Sequence, residues 1–153
     1  YNSSFAGYIM TLDEIFDLWS DDTQIDRTEL GNAALELAKL HHKYYRIFSQ
    51  ERLLHKKLEA DMKQLKLDKY EFFVDGPTED HIAKGWKLPP KGRILKSDAG
   101  QYVDADSDII ALNLKLAYQQ EKLELLADII KTISNRGFHI KSAIEWERFK
   151  VGA

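Results

Sequence analysis

Three aspartates at alternating positions, Asp104, Asp106 and Asp108, are the residues whose type and spacing first suggest chemistry. Clustered carboxylates hold Mg²⁺ in nucleases. A spacing of two puts them on one face only in an extended chain. Here they stand just before a segment of helical periodicity, where Asp is favoured by free backbone N–H groups and by the helix dipole. No Glu or His lies close by to complete a ligand set, so helix capping is the preferred reading and a metal-dependent nuclease is ranked last. Among the histidines, His41, His42 and His55 lack the i, i+4 spacing of a helical zinc pair, and Arg46 occupies the position four after His42. His81 and His139 are isolated. No metal, no cofactor and no catalytic residue is expected.

The basic residues are the better lead. Lys39, Lys43, Arg46, Arg52, Lys56, Lys57, Lys63, Lys66 and Lys69 run along one segment, with Tyr44, Tyr45, Tyr70, Phe72 and Phe73 interleaved. The stretch KGWKLPPKGRILK repeats the mixture with Lys84, Trp86, Lys87, Lys91, Arg93 and Lys96. Positive charge beside aromatic platforms is what sequence-tolerant binding of single-stranded nucleic acid requires, since phosphates pair with the cations and bases stack on the rings. The competing reading has Tyr44, Tyr45 and Phe48 packed in a core or interface and the lysines merely solvated. These residues alone leave both readings open.

Composition narrows the field. The 153 residues carry a formal net charge of -3, with 44% hydrophobic and 31% charged residues, which suits an ordinary soluble single domain. There is no cysteine, so disulfides, thiol catalysis and cysteine-ligated metals are excluded. No apolar run approaches the roughly 20 residues that span a bilayer, and no membrane partner is expected. The opening YNSSFAGYIM has no basic region followed by an apolar core, so no secretory signal is expected and an intracellular location is the default. No P-loop, dinucleotide fingerprint or nucleophile elbow occurs. Charge is laid down in stripes: -7 over residues 1–36, +5 over 39–69, five bases and no acid over 84–96, -5 over 98–128 and +3 over 131–153. Such a dipolar chain suits an anionic polymer on some faces and a partner or a neighbouring copy on others.

The elements that must position these groups are mainly helical. Thr11 and Glu14 form a capping box for a short helix over 11–19, with Leu12, Ile15, Phe16 and Trp19 as its stripe. Asp26 and Glu29 repeat the box ahead of one very long helix, from about 28 to about 70, which neither Gly nor Pro interrupts after residue 32. At 1.5 Å per residue it would be on the order of 60 Å long. A small monomer cannot bury such a stripe along its whole length, so the helix either folds back or meets another chain. Residues 75–100 hold all three prolines and read as a basic Pro/Gly-rich loop. RILK at 93–96 and QYV at 101–103 suit a small β-hairpin. Asp106 or Asp108 then caps a second long helix with Ile109, Leu112, Leu116, Leu123, Leu126, Ile130 and Ile133 on its stripe. It stops at Asn135-Arg136-Gly137, and a last helix follows over about 141–150.

The C-terminal run Ile133-Ser134-Asn135-Arg136-Gly137-Phe138-His139-Ile140-Lys141, with Ile144 and the closing Glu147-Arg148-Phe149, resembles the end of the UvsY recombination mediator family of tailed phages. The order of elements agrees over most of the chain, and ILKSDAGQYVDADSDII looks nearest to versions from marine cyanobacterial phages. The resemblance implies a single recombination-mediator domain over 1–153, without catalytic activity, in the cytoplasm of an infected bacterial host. It implies binding to single-stranded DNA and help in loading a RecA-like recombinase of the UvsX type onto DNA coated by the phage single-strand-binding protein. It also implies a ring-like homo-oligomer of about six or seven subunits. Its Lys-Ala-Arg-Leu type motif falls nearest to Lys63-Gln64-Leu65-Lys66-Leu67, where the match is imperfect. The expected DNA contacts are Lys56, Lys57, Lys63, Lys66, Lys69, Lys84, Lys87, Lys91 and Arg93. The expected assembly residues are Leu126, Ile130, Ile133, Phe138, Ile140, Ile144 and Phe149. A helical adaptor that does not bind DNA is the alternative.

Overall fold

Thr11 starts the first helix as its sequence pattern requires. In the computed structural model, which describes residues 10–24 and 30–152, α1 spans Leu12–Asp22. The Glu14 N–H donates to Thr11 Oγ1 at 3.1 Å and the Thr11 N–H donates to Glu14 Oε1 at 3.1 Å. Such a cap contributes about 1 kcal/mol. The Thr11 N–H, aided by its hydroxyl, holds the Glu14 carboxyl below the usual carboxylate range. The Asp26–Glu29 box lies outside the described residues.

Four more helices follow: α2 Leu30–Asp75, α3 Glu79–Ala83, α4 Lys96–Asp104 and α5 Ser107–Gly152. No strand occurs among the described residues. The expected hairpin over 93–103 is therefore corrected: 96–104 is a helix and 93–95 is the non-helical lead into it. Ala99 and Val103 are buried and Tyr102 is half-buried, a spacing of three and four that places one face of α4 on a core. The β-propensity of Tyr102-Val103 is overridden by that burial, and Ile94 is buried just ahead of the helix with its N–H donating to the Phe73 carbonyl at 2.8 Å. The loop over 75–100 is also partly helical, because Thr78 caps α3 through its hydroxyl.

A second correction concerns the C-terminus. Gly137 does not stop the helix, and α5 runs without a break for 46 residues, so no separate terminal helix forms. A helical glycine costs about 1 kcal/mol relative to alanine. Packing continues across it: Ile133 is buried and Ile140, one heptad later, still packs on the same core. Gly76 does end α2. It adopts φ +89° and its N–H donates to the Phe72 carbonyl at 3.1 Å.

The chain divides into two compact units, Tyr1–Leu53 with Gln119–Ala153, and Leu54–Tyr118, and both long helices contribute to each. The core of the first unit is Ile15, Leu37, Tyr44, Leu126, Ile129 and Ile133. Trp19 meets Tyr44 edge to face at 5.5 Å, and the Arg136 guanidinium lies 5.3 Å from the Trp19 ring. Arg136 also donates to the Thr23 carbonyl at 3.0 Å and to its hydroxyl at 2.6 Å. These bonds tie the end of α1 to α5. Burial, together with a hydrogen bond donated to Asp22 at 2.9 Å, pushes the Tyr44 phenol well above its ordinary pKa.

A polar group crosses this core. Lys122 is 1% exposed, Glu51 3% and Gln119 3%. Lys122 Nζ lies 2.7 Å from Glu51 Oε1 and donates to the Met10 carbonyl at 2.7 Å. Gln119 donates to the Glu51 carbonyl at 2.8 Å and to its carboxylate at 3.1 Å. Every buried side-chain polar atom among the described residues has a partner.

The second unit is built on Met62, Phe72, Phe73, Ile94, Ala99, Val103 and Ile109. Asp106 caps α5, its Oδ2 accepting from the N–H groups of Asp108 at 3.0 Å and Ile109 at 3.3 Å. Of the two caps the sequence offers, Asp106 serves, while Asp108 accepts from Lys69 at 2.8 Å. Among the described residues, no group of three His, Asp or Glu is placed to hold a metal ion.

Candidate nucleic-acid interface

Position along α2 decides which cations face water. Lys56 and Lys63 are one heptad apart and Tyr70 is one further, so the three share a face, and all are exposed. Lys66 stands one turn before Tyr70. Lys56 and Lys57 pair with acids of their own helix, Glu59 at 3.7 Å and Asp61 at 2.8 Å. Both pairs are solvent-exposed and hold their lysines weakly. Lys63 and Lys66 have no ion-pair partner among the described residues.

Lys69 does not belong to this face. Its side chain is 3% exposed and its Nζ lies 3.1 Å from Asp106 and 2.8 Å from Asp108. The same ammonium sits 3.9 Å from the centre of the Trp86 ring. Lys69 thus clamps the start of α5 and the loop onto α2, and it is not positioned to meet a phosphate. Reading it as a DNA contact is corrected here. At the level of sequence its spacing of seven from Met62 marks a core position, but its side-chain type argues against burial.

Two of the loop cations, Lys84 and Lys91, are held close to aromatic rings. Trp86 stacks on His81 at 5.0 Å and meets Phe72 edge to face at 5.5 Å. Phe72 is nine residues after Lys63, half a turn round the helix, so the loop packs on the side opposite Lys63. Lys84 lies 5.0 Å from the Trp86 ring and pairs with Asp80 at 3.0 Å. Lys91 lies 5.0 Å from the Tyr102 ring, and its hydrogen bond to the Tyr102 hydroxyl raises its pKa. The Arg93 guanidinium lies over Gly76, where an added Cβ would stand 2.7 Å from Nε. Lys87 is exposed with no ion pair among the described residues. The nine expected contacts therefore divide into an α2 face, a loop group on the opposite side of the helix, and one buried clamp.

The expected assembly residues divide as well. Leu126 and Ile133 are 0% and 2% exposed and fill the first unit's own core, so neither is available to another chain. Ile130, Ile140 and Ile144 are half-buried. Phe138 and Phe149 are exposed, the latter stacked on Trp146 at 5.6 Å.

A sequence profile of the family described as "Recombination, repair and ssDNA binding protein UvsY" matches residues 18–153. The chain belongs to the UvsY family. Solved structures agree with that membership at the level of fold. A crystal structure of the bacteriophage T4 recombination mediator protein UvsY in lattice type II superposes with a TM-score of 0.76 at 22% identity, covering 94% of this chain and 99% of that one. The lattice type IV structure gives 0.70 at 20% identity, covering 92% and 99%. The lattice type I structure gives 0.71 at 21% identity, covering 88% and 96%. No curated protein matches significantly. Among the described residues of this UvsY family member, no helix is long and apolar enough to cross a membrane.

Proposed function

We propose that the chain is a non-enzymatic recombination mediator. It binds single-stranded DNA without strong sequence preference and helps load a RecA-like recombinase of the UvsX type onto DNA coated by the phage single-strand-binding protein. The observation that carries this reading is the family match over residues 18–153. The α2 face supports it, because Lys63 and Lys66 are exposed, unpaired and followed by the half-open ring of Tyr70. Lys56, Lys57, Lys84, Lys87, Lys91 and Arg93 are the remaining contacts in this proposal, and Lys69 is a structural residue. The place of action is the cytoplasm of the infected host, and the stretch over 94–110 resembles cyanophage versions. The working form is one mediator domain per subunit in a homo-oligomer of about six or seven, which multiplies weak contacts by effective concentration.

Fluorescence anisotropy of labelled oligo-dT, titrated at several salt concentrations without metal, tests the central claim. Tight, salt-steep binding with no strand loss is expected, because each neutralised phosphate releases counterion. Absence of binding at low salt would return the chain to the adaptor class. Assembly has a separate test. Phe138 and Phe149 are 70% and 64% exposed, so replacing both by Ser spares the subunit's own core. The double variant is expected to sediment as smaller species than the parent, and an unchanged profile would remove the two rings from the interface.

A further inference from the structure

The segment of α2 from Leu37 to Leu53 contains one acid, Glu51, and that acid points into the core, 3% exposed and paired with Lys122. The outward face of this segment therefore carries no carboxylate. By contrast, the face over 54–70 carries exposed Glu59 and Asp61 among its lysines. On the outward face His42, Tyr45, Arg46 and Ser49 together line one open depression. They stand at steps of three and four, so each touches the next turn. The Tyr45 ring is 49% exposed, lies parallel to the His41 ring at 6.2 Å, and meets Phe48 at 6.4 Å. Arg46 is exposed with no ion pair among the described residues, whereas Lys39 and Lys43 are paired to Glu36 and Asp22. Arg52, one heptad beyond Tyr45, lies 5.3 Å from the Phe48 ring.

The geometry points to a nucleotide subsite at His42, Tyr45, Arg46 and Ser49, in which a base of single-stranded DNA stacks on Tyr45 while Arg46, with the Ser49 hydroxyl, holds its phosphate. It rests on the proposed single-strand binding, and it adds a base-stacking contact that the α2 lysines do not provide. An exposed, braced ring beside an unpaired guanidinium supplies both halves of what a strand presents, a π-face and an anion. The neighbouring Tyr44, one residue away, is turned to the core and hydrogen-bonded to Asp22, so the two tyrosines divide between folding and surface.

The test compares two labelled strands of equal length, oligo-dT and an abasic deoxyribose-phosphate oligomer, against Tyr45→Ala, Tyr45→Phe and Arg46→Ala. Tyr45→Ala is expected to weaken oligo-dT binding about tenfold and to leave abasic binding unchanged. Tyr45→Phe keeps the ring and is expected to bind both strands as the parent does. Arg46→Ala is expected to weaken both and to flatten the salt dependence. Equal loss on both strands for Tyr45→Ala, or no loss on oligo-dT, overturns the stacking site. Failure of the parent protein to bind either strand overturns the mediator reading itself, so the two failures are distinguishable. Far-UV circular dichroism of each variant reports that α2 is intact, and the exposure of Tyr45 makes that the expected result.

Discussion

Lys122→Met is expected to lower the unfolding free energy by about 3–5 kcal/mol, read from urea denaturation at fixed protein concentration. The substitution keeps the volume of the stem and removes the ammonium. Glu51, 3% exposed, then loses the cation at 2.7 Å, and the Met10 carbonyl loses its donor. A carboxylate left in the interior without its counter-charge costs far more than the pair contributes when whole. The reason is that the desolvation of both ions has already been spent against their mutual attraction. The double variant Glu51→Leu with Lys122→Met removes both charges and is therefore expected to be more stable than Lys122→Met alone. Gln119 keeps one acceptor in the double variant, the Glu51 main-chain carbonyl at 2.8 Å. A loss below about 1 kcal/mol for the single variant would mean that the Glu51 carboxylate finds water or another donor, and that the group is not the closed network described above.

Replacing both Lys63 and Lys66 by Ala is expected to weaken oligo-dT binding by at least tenfold and to flatten its salt dependence. Each phosphate contact on a single strand contributes about 0.7 to the slope of log affinity against log salt, so two lost contacts remove about 1.4 per bound subunit. In an oligomer that holds one strand at several points the loss is compounded, because each weakened contact also lowers the effective concentration for the next. Both side chains are exposed and unpaired, so circular dichroism and sedimentation should match the parent. Unchanged affinity and slope would remove this face from the DNA path and leave the loop cations or the Tyr45 face to carry it.

The two buried lysines show where sequence reading loses its grip. Glu51 follows Leu37 and Tyr44 at heptad intervals and precedes Leu58, so its position was that of a core residue. Lys69 likewise follows Met62 by seven, and Lys122 precedes Ile129 by seven. The signal for burial was periodic and present, but the type of side chain argued against it, since Lys and Glu are almost never fully buried unless paired. Their partners are far off in the chain: Lys69 meets Asp106 and Asp108, and Lys122 meets Glu51 and the Met10 carbonyl. No window of local sequence contains both halves of either contact.

Legible in the sequence were the helical class, the Thr11–Glu14 box, a capping aspartate ahead of α5 and the family, the last through the Arg136-Gly137-Phe138 run and its neighbours. These are local or periodic features, set by backbone N–H groups needing acceptors at a helix start and by apolar residues recurring every three or four positions. Tertiary packing set which cations remain at the surface, that residues 96–104 form a helix rather than a strand pair, and that α5 passes through Gly137. The buried lysines are held by distant carboxylates that offset their desolvation, whereas for residues 96–104 and for Gly137 the local preference is worth about 1 kcal/mol or less. Burial of Ala99 and Val103 against one core, or of Ile133 and Ile140 against another, outweighs a preference of that size, because burying a single large apolar side chain contributes about 1.5–3 kcal/mol.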